Sequence, residues 1–128
     1  MTNPIVHFEI PADDVKRAKR FYEGALGWTI EEWPGMDYYV VYTKDKEKGV
    51  GIDGGLMKRK NAGQPFMNYI SVQSIDAVNK TITSTGGTIV MPKTEISPGM
   101  GWVSAFIDTE GNIIGLHEEP LKKGNTKK

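Results

Sequence analysis

One spacing constrains this chain more than anything else in it: positions 60 apart keep the same character through a strand, a helix, a turn and a closing strand. Residues 5–10 (IVHFEI) alternate as a strand does, with Val6, Phe8 and Ile10 on one face and Ile5, His7 and Glu9 on the other. Asp13 or Asp14 can cap the helix that follows, whose apolar residues Val15, Ala18, Tyr22 and Ala25, with Phe21 and Leu26 beside them, recur at helical spacing. Add 60 and these become Ile75, Val78, Ile82 and Thr85, behind the cap candidate Ser74. Gly27 becomes Gly87, and Gly51, Gly55 and Leu56 become Gly111, Gly115 and Leu116. Internal repetition of this kind predicts two copies of one supersecondary unit, each too small to cover its own sheet.

The strands between these landmarks complete the unit. After the Pro34-Gly35 turn, residues 38–43 (YYVVYT) are aromatic and β-branched, and residues 49–57 (GVGIDGGLM) read as a glycine-loaded strand. The charged run 44–48 between them is a hairpin tip, and residues 58–65 a linker. Residues 66–73, 88–91, 101–107 and 112–118 supply the strands of the second copy, with a turn at Asp108-Thr109-Glu110-Gly111. The predicted fold is α+β: two tandem β-α-β-β-β units, about 4–57 and 66–118, in one domain spanning 1–120, followed by a basic flexible tail at 121–128.

Composition removes several functions. With 128 residues, 38 % hydrophobic and 25 % charged, the chain suits one soluble domain with a substantial core. Sixteen basic residues balance sixteen acidic ones, so no general affinity for nucleic acid is expected. There is no cysteine, hence no disulfide or thiol chemistry. No apolar run approaches the roughly 20 residues that span a bilayer, and no basic-then-apolar leader opens the chain. These features lead to the expectation of a cytoplasmic protein without membrane partners.

The run FYEGALGW at 21–28 and the turn DTEGN at 108–112 are similar to the Phe-Tyr-x-x-x-Leu-Gly and Asp-Pro-x-Gly-Asn segments of the vicinal oxygen chelate superfamily, which includes glyoxalase I, extradiol dioxygenases and bleomycin-binding proteins. The resemblance extends from Ile5 to Glu118. It implies sheets curved around a shared cavity, pairing of chains as a homodimer, and, in the enzymes, a divalent metal held by ligands from the first and last strand of each unit. Carried onto this chain, those ligand positions are His7, Gly55, Met67 and Gly115. One of the four has a suitable donor. Catalytic metals normally take three protein ligands, glycine offers none, and methionine is a soft thioether, so no cofactor is expected. A displaced divalent site using His7, Glu9, Asp53 and His117 is the alternative.

By alternation the inward faces carry His7, Glu9, Gly55, Met57, Met67, Tyr69, Gly115 and His117, with Asp53 and Ser71 beside them. These are the candidate ligand-binding residues. His7 and Glu9 are the candidate catalytic pair, since imidazole and carboxylate can exchange protons near neutrality. Side chains two apart on a strand lie about 6–7 Å from one another, so a direct bond between them needs a bend or a bridge. Tyr38, Tyr39, Tyr42, Trp28, Trp33 and Trp102 provide aromatic surface, and Met57, Met67, Met91 and Met100 adaptable apolar lining. Two glycines where carboxylates are implied leave volume and remove charge, which favours a bulkier, less polar ligand. The expected function is small-molecule binding with a degenerate metal site; the rival is a glyoxalase-like lyase or dioxygenase using a displaced metal or metal-free acid–base chemistry.

Overall fold

The computed structural model describes residues 2–120; the tail expected at 121–128 lies outside them. The order of elements is β1 (Ile5–Ala12), α1 (Val15–Leu26), β2 (Thr29–Glu32), β3 (Tyr39–Tyr42), β4 (Gly54–Lys58), then β5 (Met67–Ser71), α2 (Ile75–Ser84), β6 (Thr88–Glu95), β7 (Trp102–Ile107) and β8 (Ile113–Glu118). This is β-α-β-β-β twice over. The described residues divide into two compact units, 6–68 and 69–120 together with 2–5. Among the described residues no helix is long and apolar enough to cross a membrane.

In the first unit β2, β3 and β4 are antiparallel neighbours, and β1 joins β4 in parallel with Glu9 opposite Gly55 and Ile10 opposite Leu56. In the second, β6, β7 and β8 are antiparallel, and β5 joins β8 in parallel with Tyr69 opposite Gly115 and Ile70 opposite Leu116. Both registers keep the offset of 60 to the residue, and both helices start at its equivalent positions, Val15 and Ile75.

One face of each half-sheet is covered by its helix. Phe8, Ile10, Ala12, Ile30, Val41 and Leu56 are buried beneath Val15, Ala18 and Tyr22 of α1, with Trp28 and Tyr39 alongside. Val72, Ile75, Phe106 and Leu116 are buried with Val78 and Ile82 of α2, Ile89 and Trp102. Fully burying a side chain the size of Leu56 or Leu116 contributes about 1.5–3 kcal/mol each. Aromatic rings join the first core: Tyr22 stacks on Trp28 at 5.0 Å, and Phe8 on Phe66 at 5.8 Å. Trp28 and Trp102 are therefore core residues.

The helix ends follow their chemistry. Asp14, rather than Asp13, caps α1 by accepting the Arg17 N–H at 3.0 Å, and Gly27 closes it in the left-handed region at φ 73°. Ser74 caps α2 through the Ala77 N–H. Asp13 instead pairs with Arg59 at 3.0 Å.

Several expected boundaries and faces are corrected. Ala25 and Thr85 are exposed, because each lies at the end of its helix, past the turns that meet the sheet. Val6 is 41 % exposed rather than covered by α1, since the β1–β4 register begins only at Glu9. The strand expected over 49–57 is limited to Gly54–Lys58: Gly49 and Gly51 take positive φ, and the Asp53 carboxylate accepts the Thr43 and Lys44 N–H groups in the turn. The strand expected over 88–91 continues to Glu95. Its register shifts on either side of Met91, and Pro92, which has no N–H to give a ladder, sits within the second irregularity.

Candidate functional site

The face of the first half-sheet turned away from α1 carries the polar cluster. His7 and Glu9 are two apart on β1, and Gly55 lies beside Glu9 on β4 with Val40 of β3 on its other side. A strand glycine leaves a gap on its face, and here Tyr38 fills it. A Cβ added at Gly55 would fall inside the Tyr38 ring and hydroxyl, so the phenol lies directly against the glycine backbone.

That seat brings the Tyr38 hydroxyl between the two polar side chains. It donates to Glu9 Oε2 at 3.1 Å, and His7 Nε2 is 2.8 Å from the same oxygen. A phenol has one proton. With that proton directed at Glu9, the phenol oxygen accepts from His7, which assigns the hydrogen to Nε2 of the imidazole. His7 Nε2 and Glu9 Oε2 are 3.8 Å apart, closer than the spacing of strand neighbours suggests, because both side chains lean onto the shared hydroxyl. The side chains of His7 and Glu9 are 36 % and 24 % exposed, so the cluster is reachable from solvent.

The second half-sheet repeats the device. Gly115 is the register partner of Tyr69, and a Cβ on Gly115 would strike the Tyr69 ring at 2.4 Å. Met67 opens β5 half-buried; His117 is half-buried on β8 opposite Ser71 and Val103. Met57, opposite Pro11, is buried. Asp53 spends its carboxylate on the β3–β4 turn. The space that Gly55 and Gly115 leave is thus filled by rings of their own units, a correction to the view that these positions are open volume.

Tyr38 was legible only as one aromatic among several. The available signal was a strand glycine facing a hairpin whose start carries a tyrosine. Glu118 gave no signal at all. It is 4 % exposed, accepts the Ile75 N–H at 2.8 Å at the start of α2, and lies 3.7 Å from Lys93.

Metal fit follows from the donors. Among the described residues no three His, Cys, Asp or Glu side chains are grouped so that they could hold an ion. The cluster on the first half-sheet offers one imidazole, one carboxylate and a protonated phenol that is already hydrogen-bonded. It falls short of the usual three ligands, so these residues do not fit a metal of the kind the resemblance implies.

Comparison with known proteins agrees with the fold. Residues 4–43 match the family model for the bleomycin resistance protein-like N-terminal region. A glyoxylase-like domain-containing protein of Didymella fabae is 28 % identical over 89 % of this chain and 92 % of its own length. A Mycobacterium bovis protein, named provisionally as a glyoxylase, is 29 % identical over 92 % of this chain. The chain spans about half of that relative, 46 % of its length. Among solved structures, a hypothetical protein of Bacillus halodurans superposes with a TM-score of 0.67 at 16 % identity, covering 98 % of this chain and all of that one. The methylmalonyl-CoA epimerase of Mycobacterium tuberculosis superposes with a TM-score of 0.66 at 18 % identity, over 91 % of this chain and 88 % of the other. With its tandem β-α-β-β-β units, the chain has the vicinal oxygen chelate fold, and it is similar in sequence to glyoxalase/bleomycin resistance-type proteins.

Proposed function

We propose that this protein binds a small organic molecule at the face carrying His7, Tyr38 and Glu9, and does so without a divalent metal. The observation that carries the reading is the Tyr38 hydroxyl held between an imidazole and a carboxylate, over a glycine at a position where the superfamily's metal enzymes carry a ligand. Such a set presents a donor, an acceptor and an aromatic surface to solvent, which is what a small polar–aromatic ligand needs for orientation. A thermal-shift screen of small molecules, run beside elemental analysis, tests it. Hits should lose most of their shift in the Glu9→Gln and His7→Ala variants, and no divalent ion should copurify in stoichiometric amount. Hits indifferent to both substitutions would put binding elsewhere.

A second reading, metal-free acid–base catalysis, is favoured by the same hydrogen bonds. An imidazole and a carboxylate joined through one hydroxyl can pass a proton between them, and relatives in the superfamily include proteins named as glyoxylase-like and as epimerases. Isomerisation of a glutathione hemithioacetal should remain at background with Ni, Zn, Mn or Co added. Solvent deuterium incorporation into a bound carbon acid, lost in Glu9→Gln, would establish the catalytic reading over simple binding.

A further inference from the structure

Strand β2 is the edge of the first half-sheet: among the described residues it pairs with β3 alone. Its hydrogen-bonding directions follow from the hairpin. The Trp33 N–H is bonded to the Tyr38 carbonyl, and such groups alternate in direction along a strand. Glu31 therefore also turns its backbone groups to β3, while Ile30 and Glu32 turn theirs to the open edge. The Ile30 N–H agrees: the Glu23 carboxylate of α1 takes it at 3.1 Å, where a neighbouring strand would place a carbonyl. The Ile30 carbonyl and both backbone groups of Glu32 face outward along the same edge.

That edge is one wall of a groove of about 530 Å3 whose other wall is α1; Lys16, Lys19 and Arg20 line the helix side, and Glu31 and Glu32 the strand side. Lys19 is spent on Glu23 at 3.2 Å. Among the described residues Lys16 and Arg20 are paired with no carboxylate, and Glu31 and Glu32 with no cation. Cations and carboxylates thus look onto one groove without meeting across it. We infer that an extended acidic peptide adds to β2 as a further strand, its backbone bonded to Ile30 and Glu32 and its carboxylates directed at Lys16 and Arg20.

In strand addition the main chain gives affinity and alternate side chains give specificity. Ile30 is buried under α1, so alternation puts Glu32 on the helix side and Glu31 on the other. With Lys19 and Glu23 cancelling, the two cations Lys16 and Arg20 stand against the single carboxylate of Glu32 on the helix side. Incoming side chains alternate likewise: those on the helix side are acidic, and those beside Glu31 are basic or neutral. A second copy of this chain does not suit the edge, because antiparallel pairing of β2 with itself sets Glu31 of one copy against Glu32 of the other. The same two carboxylates repel a polyphosphate backbone. Glu23 closes the edge at the Ile30 N–H and so fixes where the added strand stops.

NMR titration of the full chain with two blocked peptides tests this: acetyl-KDTDTDK-amide, acidic on one strand face, and acetyl-DKTKTKD-amide, its charge reverse. The first should shift the amides of β2 and protect the Glu32 N–H from hydrogen exchange. Methylating alternate nitrogens of that peptide, one set at a time, should weaken binding about tenfold for the set that faces β2. The Lys16→Glu, Arg20→Glu double variant should lose about tenfold in affinity for the acidic peptide and gain affinity for the reversed one. Both changes lie on the exposed side of α1, and the same spectra show whether the variant is folded. No binding of the acidic peptide, equal binding of the two peptides, or indifference to methylation of either set overturns the inference. So does acidic-peptide affinity that survives the double variant or is lost in His7→Ala. A Glu32 N–H already protected by self-association without peptide overturns it as well.

Discussion

Gly55 and Gly24 both lack the left-handed backbone that usually explains a glycine, yet opposite consequences attach to them. Gly55 is needed for space. A methyl group there displaces Tyr38 from its seat and separates the hydroxyl from His7 and Glu9. Gly55→Ala should destabilise the protein by about 1–3 kcal/mol in urea unfolding, and Gly115→Ala by a similar amount through Tyr69. Gly24 lies inside α1 with nothing within 4 Å of an added Cβ. Gly24→Ala should raise stability by about 0.5–1 kcal/mol, because it stiffens the unfolded chain at a position where the folded one has room. The same substitution thus changes sign with its surroundings, and equal effects at positions 24 and 55 would refute the account of the tyrosine seat.

At the scale of elements, the two units solve one problem with opposite charges. Glu118 approaches the start of α2 and takes the Ile75 N–H, while Lys93 lies 3.3 Å from Asp76, 3.7 Å from Glu118 and over the Trp102 ring at 5.1 Å. Sixty residues earlier stands Lys58, whose ammonium donates to the Asp13 carbonyl at 2.7 Å just ahead of α1. Each β-strand end therefore ties down the chain entering its helix. A buried carboxylate on a helix N-terminus is favourable because the free N–H groups and the helix dipole both attract it. Glu118→Ala should cost about 1–3 kcal/mol, since it leaves a buried N–H without its acceptor. Ser74→Ala, which removes the conventional cap of the same helix, should cost about 1 kcal/mol. Chemical denaturation of the two variants checks the ranking. The helices themselves were legible from their 3.6-residue stripe, but Glu118 was not, because its partners are 43 and 25 residues away and no local pattern marks them.

For the whole molecule, three solvent-accessible carboxylates contribute to the response to acid. The Arg17 N–H holds the Asp14 carboxyl below its ordinary pKa, the Ile30 N–H does so for Glu23, and the Asn112 N–H leads several bonds that do so for Asp108. A group whose pKa is lower folded than unfolded stabilises the fold above the unfolded value, and loses that contribution as pH falls through the folded one. Stability should therefore hold from neutrality to about pH 5 and decline below about pH 4, where unfolded carboxylates take up protons. The Asp14→Asn, Glu23→Gln, Asp108→Asn triple variant should show a flatter decline in urea melts between pH 3 and 7. An unchanged slope would assign the acid response to other groups.

The tandem architecture, both helix starts and the offset of 60 that relates the two registers were determined by the sequence alone. They follow from short-period patterns and from a repeat that any copy of the unit must obey, as in Glu9 opposite Gly55 and Tyr69 opposite Gly115. The contents of the site were decided by tertiary structure. Alternation set His7 and Glu9 on one face but left them too far apart to bond, and the glycines suggested vacant space. Tyr38, 31 residues from His7 and 29 from Glu9, reaches both only because β3 and β4 fold back beside β1. A glycine records that something must come close; which side chain comes close is decided by the strand that packs across it.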